Sequence, residues 1–358
     1  MGHAAERLDD QLAAFQDAVR AAAARRASLR LRAGGTKDFY GHAPTGELLD
    51  PRGHRGVVAY EPTELVVVAR CGTPLAELES LLADHGQMLA FEPPHFGAGA
   101  TVGGCVAAGL AGPRRAAAGS LRDFVLGAKL VDGRGDHLAF GGTVMKNVAG
   151  YDVARVLSGS LGILGVITEV ALKVLPRPAA ETTLRFEFDQ AAALRHLNQW
   201  GGEPLPISGS AWEAGVLHLR LSGAALAVAA ARTQLGGEDL GAAADFWTNL
   251  REHTAPFFAG ATPLWRLSLP STTPPLDLHD PVLIEWGGAQ RWLRSDAVPE
   301  EVHAAALRLG GHATLFRGGD RREAFAPLPA PIAAIHARLK AEFDPQRIFN
   351  PGRLVADL

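Results

Sequence analysis

Residues 98–112 read AGATVGGCVAAGLAG, residues 119–133 read GSLRDFVLGAKLVDG, and residues 146–176 read KNVAGYDVARVLSGSLGILGVITEVALKVLP. Glycine is clustered here rather than spread. Gly103 and Gly104 precede an Ala-rich run, and Gly159, Gly162 and Gly165 space out a second cluster. Backbone without a Cβ can come close to a ligand, and its amides can cradle phosphate oxygens. Paired glycines equally mark tight turns and close packing. After the second cluster the pattern becomes strand-like. Val166, Thr168, Val170, Leu172 and Val174 fall on one face, with Ile167, Glu169, Ala171 and Lys173 on the other. The fingerprint G-x-G-x-x-G is absent, because Gly97 and Gly99 are followed by Gly103, one residue late. A Rossmann domain is therefore only weakly indicated.

Composition narrows the class. The chain has 358 residues, room for two cores, and is 47% hydrophobic and 20% charged, which describes a globular protein. A formal net charge of −3 argues against a nucleic-acid partner. Cys71 and Cys105 form no C-x-x-C pair and no disulfide framework, which fits a reducing cytoplasm. No run of about eighteen apolar residues is present, so no membrane span is expected. Acids at Glu6, Asp9, Asp10 and Asp17 are unlike a secretory or transit peptide.

Upstream, Leu8, Leu12, Phe15 and Val19 recur on one helical face, and the helix runs to Arg26. Ser28 to Arg32 reads as a short strand that ends in RAGGTKDFYG. Loop 33–38 offers free amides, a Thr hydroxyl and a Lys cation, which suit a pyrophosphate, although a hairpin turn has the same texture. Leu65–Arg70 is a second strand, and Pro74 opens a helix with Leu75, Leu78, Leu81 and Leu82 inward. FEPPHFG at residues 91–97 is a rigid loop. Downstream of Pro178, strands are expected at Thr183–Phe188, Val216–Leu221, Leu264–Leu269 and Val282–Glu285. Helices are expected at Gln190–Trp200, Ala224–Leu235, Glu300–Leu309 and Pro331–Phe343. That order implies an antiparallel sheet with helices on one face.

Read whole, TVGG, GS-x-RD-x-V-x-G from Gly119, KNVAGYD from Lys146 and GSLGILGVITE from Gly159 resemble the FAD-binding domain of the vanillyl-alcohol oxidase and p-cresol methylhydroxylase (PCMH-type) flavoproteins. With RAGGTKD and FNPGR added, the chain is similar to the FAD-binding subunits of bacterial glycolate oxidase. The likeness is strong in the first half and weaker over about 180–311. It implies an α+β fold: a PCMH-type two-part FAD-binding domain (1–178), a ferredoxin-like antiparallel α+β cap (179–325), and a C-terminal segment (326–358) returning to the first domain. It also implies FAD contacts at Arg32, Ala33, Gly34, Gly35, Thr36, Lys37, Asp38, Pro93, Thr101, Gly103, Gly104 and Ala107. Further contacts are implied at Gly119, Arg122, Asp123, Gly162, Gly165 and Ile167. Several members of the family attach the flavin covalently near the first loop; here only His42 is close, which favours non-covalent FAD.

A flavin brings its own redox chemistry, and the protein orients the substrate. A small 2-hydroxy acid presents a carboxylate, so an arginine in the cap is expected, with Arg266, Arg291 and Arg317 as candidates. Each could equally be an ordinary ion-pair arginine. No G-x-S-x-G elbow appears, and His303 and His312 are too isolated for zinc, so no metal site is expected. The H-x-G-D-G-N-x-H motif of metal-dependent relatives is also missing. Two readings stand: an oxidoreductase for glycolate or another 2-hydroxy acid, or a flavin-bearing accessory subunit that passes electrons on. The resemblance implies a complex with a larger FAD-binding subunit and an iron–sulfur subunit, because two cysteines cannot ligate a cluster. The expected location is the cytoplasm, with the inner face of the membrane reached only through that complex.

Overall fold

A computed structural model of the chain describes residues 2–143, 152–276 and 280–355. Of the KNVAGYD motif, all but Asp152 lies outside the described residues.

The first half is built on a five-stranded antiparallel sheet. Helix α1 (Gly2–Arg25) buries Phe15 and Val19 of the face its spacing predicts, with Leu12 half-buried and the Leu8 side chain outside the described residues, and it adds Ala22. Strand β1 (Leu29–Leu31) pairs in parallel with β2 (Glu47–Leu49). Next come β3 (Val57–Glu61), β4 (Val66–Arg70), helix α2 (Leu75–Asp84) and β5 (Gln87–Met88). Three short helices, α3 (Val102–Ala108), α4 (Arg115–Ala118) and α5 (Leu121–Phe124), lead into β6 (Val125–Val131) and β7 (His137–Gly141). Strand β8 (Val166–Lys173) and the short β9 (Leu175–Pro176) close this half. The sheet order is β3-β4-β8-β6-β7. Strand β8 lies at its centre and is buried on both faces, with Glu169 partly buried and paired to Lys129 at 2.8 Å.

The second half is one eight-stranded antiparallel sheet. Its elements are β10 (Ala180–Glu187), α6 (Gln190–Gly201), β11 (Ile207–Glu213), β12 (Val216–Gly223), α7 (Ala225–Leu235), β13 (Glu238–Asp239), α8 (Ala244–Glu252), β14 (Leu264–Ser268), β15 (Val282–Glu285), β16 (Gln290–Arg294), α9 (Pro299–Arg308) and β17 (His312–Arg317). The strand order β13-β10-β12-β11-β15-β16-β14-β17 contains the ferredoxin-like arrangement twice. Strands β10 to β13 take the order 4-1-3-2 of a βαββαβ unit. Strands β14 to β17 repeat it in mirror order, without a helix described at the first crossover. The two units meet where β11 pairs with β15, Ala211 opposite Glu285. Strands β11, β16 and β17 and helix α8 are additions to the sequence expectation. Strand β16 reads QRWLR, whose polar residues hide it, yet all five are buried because it runs between β15 and β14.

Helix α10 (Ala330–Phe343) returns the chain to the first half. Lys340 and Asp344 are fully buried and 2.8 Å apart. The Lys340 ammonium also donates to the carbonyls of Ile163 (2.7 Å) and Phe349 (2.9 Å), and Asp344 accepts from the amides of Ile348 and Phe349. Every charge-bearing atom is thus compensated, the condition under which a buried pair is tolerated. Removing one partner strands the other charge. Asp344→Ala should cost about 3–5 kcal/mol, read as a lower urea midpoint, and Lys340→Met less, because Asp344 keeps two amide donors; a loss below about 1 kcal/mol for Asp344→Ala would contradict this.

Candidate cofactor and substrate site

Loop 33–38 leaves β1 and folds against the first glycine cluster. The two backbones touch: a Cβ on Gly34 would lie 1.6 Å from the Gly99 carbonyl oxygen. The amides of Ala33, Gly34, Gly35, Thr36 and Lys37 donate to no acceptor among the described residues. Five consecutive unspent donors beside a glycine backbone form an anion-binding concavity. Its far wall is α3, where Thr101 caps the helix by accepting from the Gly104 amide (3.2 Å), and its floor is Leu161, Gly162, Gly165 and Ile167.

The C-terminal FNPGR segment closes this cradle. Asn350 accepts from the Leu31 amide (2.8 Å) and donates to the Leu161 carbonyl (2.8 Å), joining β1 to the second glycine cluster. Arg353 donates to the carbonyls of Lys37 (3.2 Å), Asp38 and His42, and burial lowers its pKa to about 10. Asn350 and Arg353 line the cradle, and reading the sequence alone missed both. The FNPGR phrase was the available signal.

Fourteen of the eighteen residues implied for the cofactor line this one cavity: Arg32 to Asp38, Thr101, Gly103, Gly104, Ala107, Gly162, Gly165 and Ile167. Four do not. Asp123 accepts from the amide (2.8 Å) and hydroxyl (2.7 Å) of Ser120, forming a capping box on α5; Gly119 provides the turn before it, Arg122 is exposed, and Pro93 is buried elsewhere. The two central glycines also divide. A Cβ on Gly103 would lie 2.6 Å from the Cys71 Cβ, so that glycine serves packing, whereas one on Gly104 meets only Thr101 Oγ1 at 3.1 Å. His42 turns its Nδ1 to the Gly352 carbonyl (2.7 Å) and does not line the cradle. Cys71 does, with its thiol pushed up to about 12 by burial.

A second cavity lies between the two halves, bounded by Phe96 and Gly112 on one side and by Arg266, Glu285, Gln290, Trp292 and Phe316 on the other. Loop 37–40 separates it from the cradle. The Lys37 ammonium donates to the His95 carbonyl (3.2 Å) and lies 5.7 Å from the Phe96 ring, and the Tyr40 hydroxyl accepts from Arg266 (3.1 Å). Charged contacts hold the halves together around the cavity. Glu92 bonds Arg114 and, across the junction, Arg220 (2.9 Å); Arg114 in turn bonds Glu181 (2.8 Å). Burial pushes the Glu92 carboxyl up, but Arg220 and Arg114 outweigh it, and the net shift is downward. Glu252 of α8 accepts from the amides of His95 and Phe96.

The three candidate arginines separate. Arg266 faces the cavity, and apart from its bond to Tyr40 its guanidinium has no acceptor among the described residues. Arg317 stacks 4.4 Å over Phe39. Arg291 is fully buried and gives its guanidinium to the carbonyls of Gly288, Thr273 and Pro274, so it stabilises the cap and is not available to a substrate. Sequence reading also overlooked two other groups here. Glu285 accepts from Trp292 (2.6 Å) and Gln290 (2.9 Å), and burial pushes its carboxyl up to about 7. His253, the C-terminal cap of α8, is held well below its usual pKa by burial, with Arg317 and Arg266 adding to the effect.

The family model for FAD binding domains matches residues 10–153. Glycolate oxidase subunit GlcE of Escherichia coli (strain K12) is 50% identical over 349 residues, 98% of this chain and 99% of that one. This chain belongs to the GlcE family of PCMH-type FAD-binding flavoproteins. More distant relatives of this family member share a part of it. Glycolate oxidase subunit GlcD of Bacillus subtilis is 40% identical over 84 residues, 24% of this chain and 18% of that one. The mitochondrial D-lactate dehydrogenase [cytochrome] 1 of Saccharomyces cerevisiae is 31% identical over 149 residues, 40% of this chain and 25% of that one. Among solved structures, alkyldihydroxyacetonephosphate synthase matches with a TM-score of 0.66 over 94% of this chain and 74% of that one, at 16% identity. At that identity the match shows a common fold and nothing more.

Two expectations follow from the site. Gly104→Val should keep the far-UV circular dichroism yet weaken FAD binding about tenfold or more, a change of ~1.4 kcal/mol, whereas Gly103→Val should lower thermal stability first; normal flavin content in a folded Gly104→Val protein would refute the cradle. The second concerns Glu285. With its carboxyl raised from the usual 4.5 to about 7, the folded state binds the extra proton, so its stability declines as pH climbs from 4.5 to 7 and stays lower above. Glu285→Gln, which cannot ionise, should therefore raise the melting point at pH 8 and change it little at pH 5, by up to roughly 3 kcal/mol at the higher pH. Equal effects at both would show that Glu285 does not titrate in this range.

Proposed function

We propose that this chain is the FAD-holding subunit of a glycolate-oxidising complex and takes part in converting glycolate to glyoxylate. The observation that carries the reading is the run of five unspent amides at Ala33–Lys37, closed by Asn350 and Arg353, in a chain that is half identical to a glycolate oxidase subunit. Residues 1–178 form the FAD-binding domain, 179–325 the cap, and 326–358 the returning segment. Bound FAD supplies a two-electron acceptor. The residues around it have simpler tasks: the 33–37 amides and Gly104 hold the pyrophosphate, Lys37 adds a cation, and Arg266 takes the substrate carboxylate. The flavin is non-covalent, since His42 is turned away and the Cys71 thiol stays protonated.

The substrate is glycolate or a close 2-hydroxy acid. Partners are a larger FAD-binding subunit and an iron–sulfur subunit; with two cysteines this chain cannot hold a cluster, so electrons leave through another chain. No helix among the described residues is long and apolar enough to cross a membrane. The complex works in the cytoplasm, at the inner face of the membrane. The missing histidine motif favours a second reading, an accessory flavin that only relays electrons.

The purified protein should be yellow and release all its flavin on acid precipitation; flavin retained in the pellet would show a covalent bond. Steady-state dye reduction with glycolate should be low for the single chain and restored when both partners are co-expressed. Full turnover by the single chain would remove the need for partners, and a colourless protein that FAD cannot reconstitute would end the reading.

A further inference from the structure

The two units of the eight-stranded sheet are covered unequally. In the first, both α6 and α7 pack on one face, where Leu194, Leu197 and Trp200 of α6 are buried with Leu217, Leu219 and Leu221 of β12. Val282 joins that cluster to a second one, formed by Trp265, Leu267 and Leu293 under α9, so the same face continues into the second unit. There α9 corresponds to α7 and buries Val302 and Ala306. The crossover 269–281, the counterpart of α6, holds no helix among the described residues. Beside α9 the sheet therefore keeps an open groove of about 630 Å³, whose apolar lining includes Leu267, Leu293, Val302 and Ala305. Asp280, Glu300 and Glu301 also line it, against the single base Arg308, and none of the four forms an ion pair among the described residues. Val298 and Leu307, at the start and on the body of α9, are 51% and 74% exposed. An open apolar groove of this kind is a seat for an amphipathic helix.

We propose that the groove receives an amphipathic helix of the larger FAD-binding subunit, which takes on the second unit the place that α6 holds on the first. The inference rests on the complex proposed above. Its size comes from the template: α6 has 12 residues, a rod of about 18 Å. Its chemistry comes from the lining. Leucine-like residues at i, i+3, i+4 and i+7 meet the sheet, and lysine or arginine at the sides meets Asp280, Glu300 and Glu301. The choice of partner follows from the side of the sheet. Neighbours along a strand point to opposite faces. Leu267 and Leu293 line the groove, while Arg266 and Trp292 line the cavity between the two halves. The iron–sulfur subunit must approach the flavin, on the Arg266 side, so the groove on the far side falls to the larger subunit.

The test uses the FAD-loaded full chain, the purified larger subunit, and the complex of all three chains. Ala304 lies on the exposed side of α9 and lines the groove. Ala304→Trp should fill the groove with flavin content and circular dichroism unchanged, and should weaken binding of the larger subunit about tenfold or more by calorimetry. Ala304→Ser should bind within about twofold of the parent chain. Glu300→Lys combined with Glu301→Lys should weaken binding as well and flatten its dependence on salt. Cys71 and Cys105 are both buried, so Ala304→Cys supplies a single reactive thiol for a benzophenone label. Irradiation of the labelled complex should join this chain to the larger subunit, at a segment with that apolar spacing and basic flanks. Unchanged affinity in Ala304→Trp would overturn the proposal and leave the complex standing. Crosslinks that reach only a second copy of this chain, the iron–sulfur subunit or no protein would do the same. A parent chain that binds the larger subunit in neither assay would bring the proposal down together with the complex.

Discussion

Three distant pieces of chain meet at the side chains of Asn350 and Lys340. Asn350 bonds β1 at Leu31 and the glycine cluster at Leu161; Lys340 bonds the same cluster at Ile163 and the C-terminal turn at Phe349. The bonds to the Leu161, Ile163 and Phe349 carbonyls are buried, so each carbonyl would be a costly unpaired group without its partner. The cradle depends on this junction. Its loop has no regular structure, and unspent amides do not hold themselves in place. They are aimed because both ends of the loop are fixed, by Asn350 at Leu31 and by Arg353 at residues 37–42.

The junction between the sheets follows a different logic. It combines aromatic packing, Phe39, Tyr40, Phe96 and Phe316 in mutual contact, with buried charges that are all paired, Glu92 and Glu181 against Arg114 and Arg220. Apolar packing has little directional preference, whereas multiply bonded arginines fix both distance and angle. The charged contacts therefore set the register of one half on the other, and so the shape of the cavity between them.

Much of this was legible in the sequence, for identifiable reasons. The α+β class, the first phosphate loop and the second glycine cluster are local, and local signals survive in a single chain. The residues of loop 33–38 lie together in sequence as they do in space. Asn350 and Arg353 act between 189 and 319 residues from their partners, which no periodicity reveals. Gly119, Arg122 and Asp123 show the opposite failure: a family phrase whose local task is to cap α5. Arg291 could not be told from Arg266, because nothing in GAQRWL says that three carbonyls will surround it. Strand β16 was hidden by its own arginines, and the doubled cap could not be seen without it.

The bond from Asn350 back to Leu31 spans 319 positions of chain. During synthesis, the β1 loop and both glycine clusters emerge from the ribosome long before the residue that fixes them. A nascent chain can build the five-stranded sheet early, since all its strands lie before residue 174. It cannot present a finished cradle until residues 340–353 have followed. The two side chains that fix the ends of loop 33–38, Asn350 and Arg353, are thus among the last residues to become available as the chain is made.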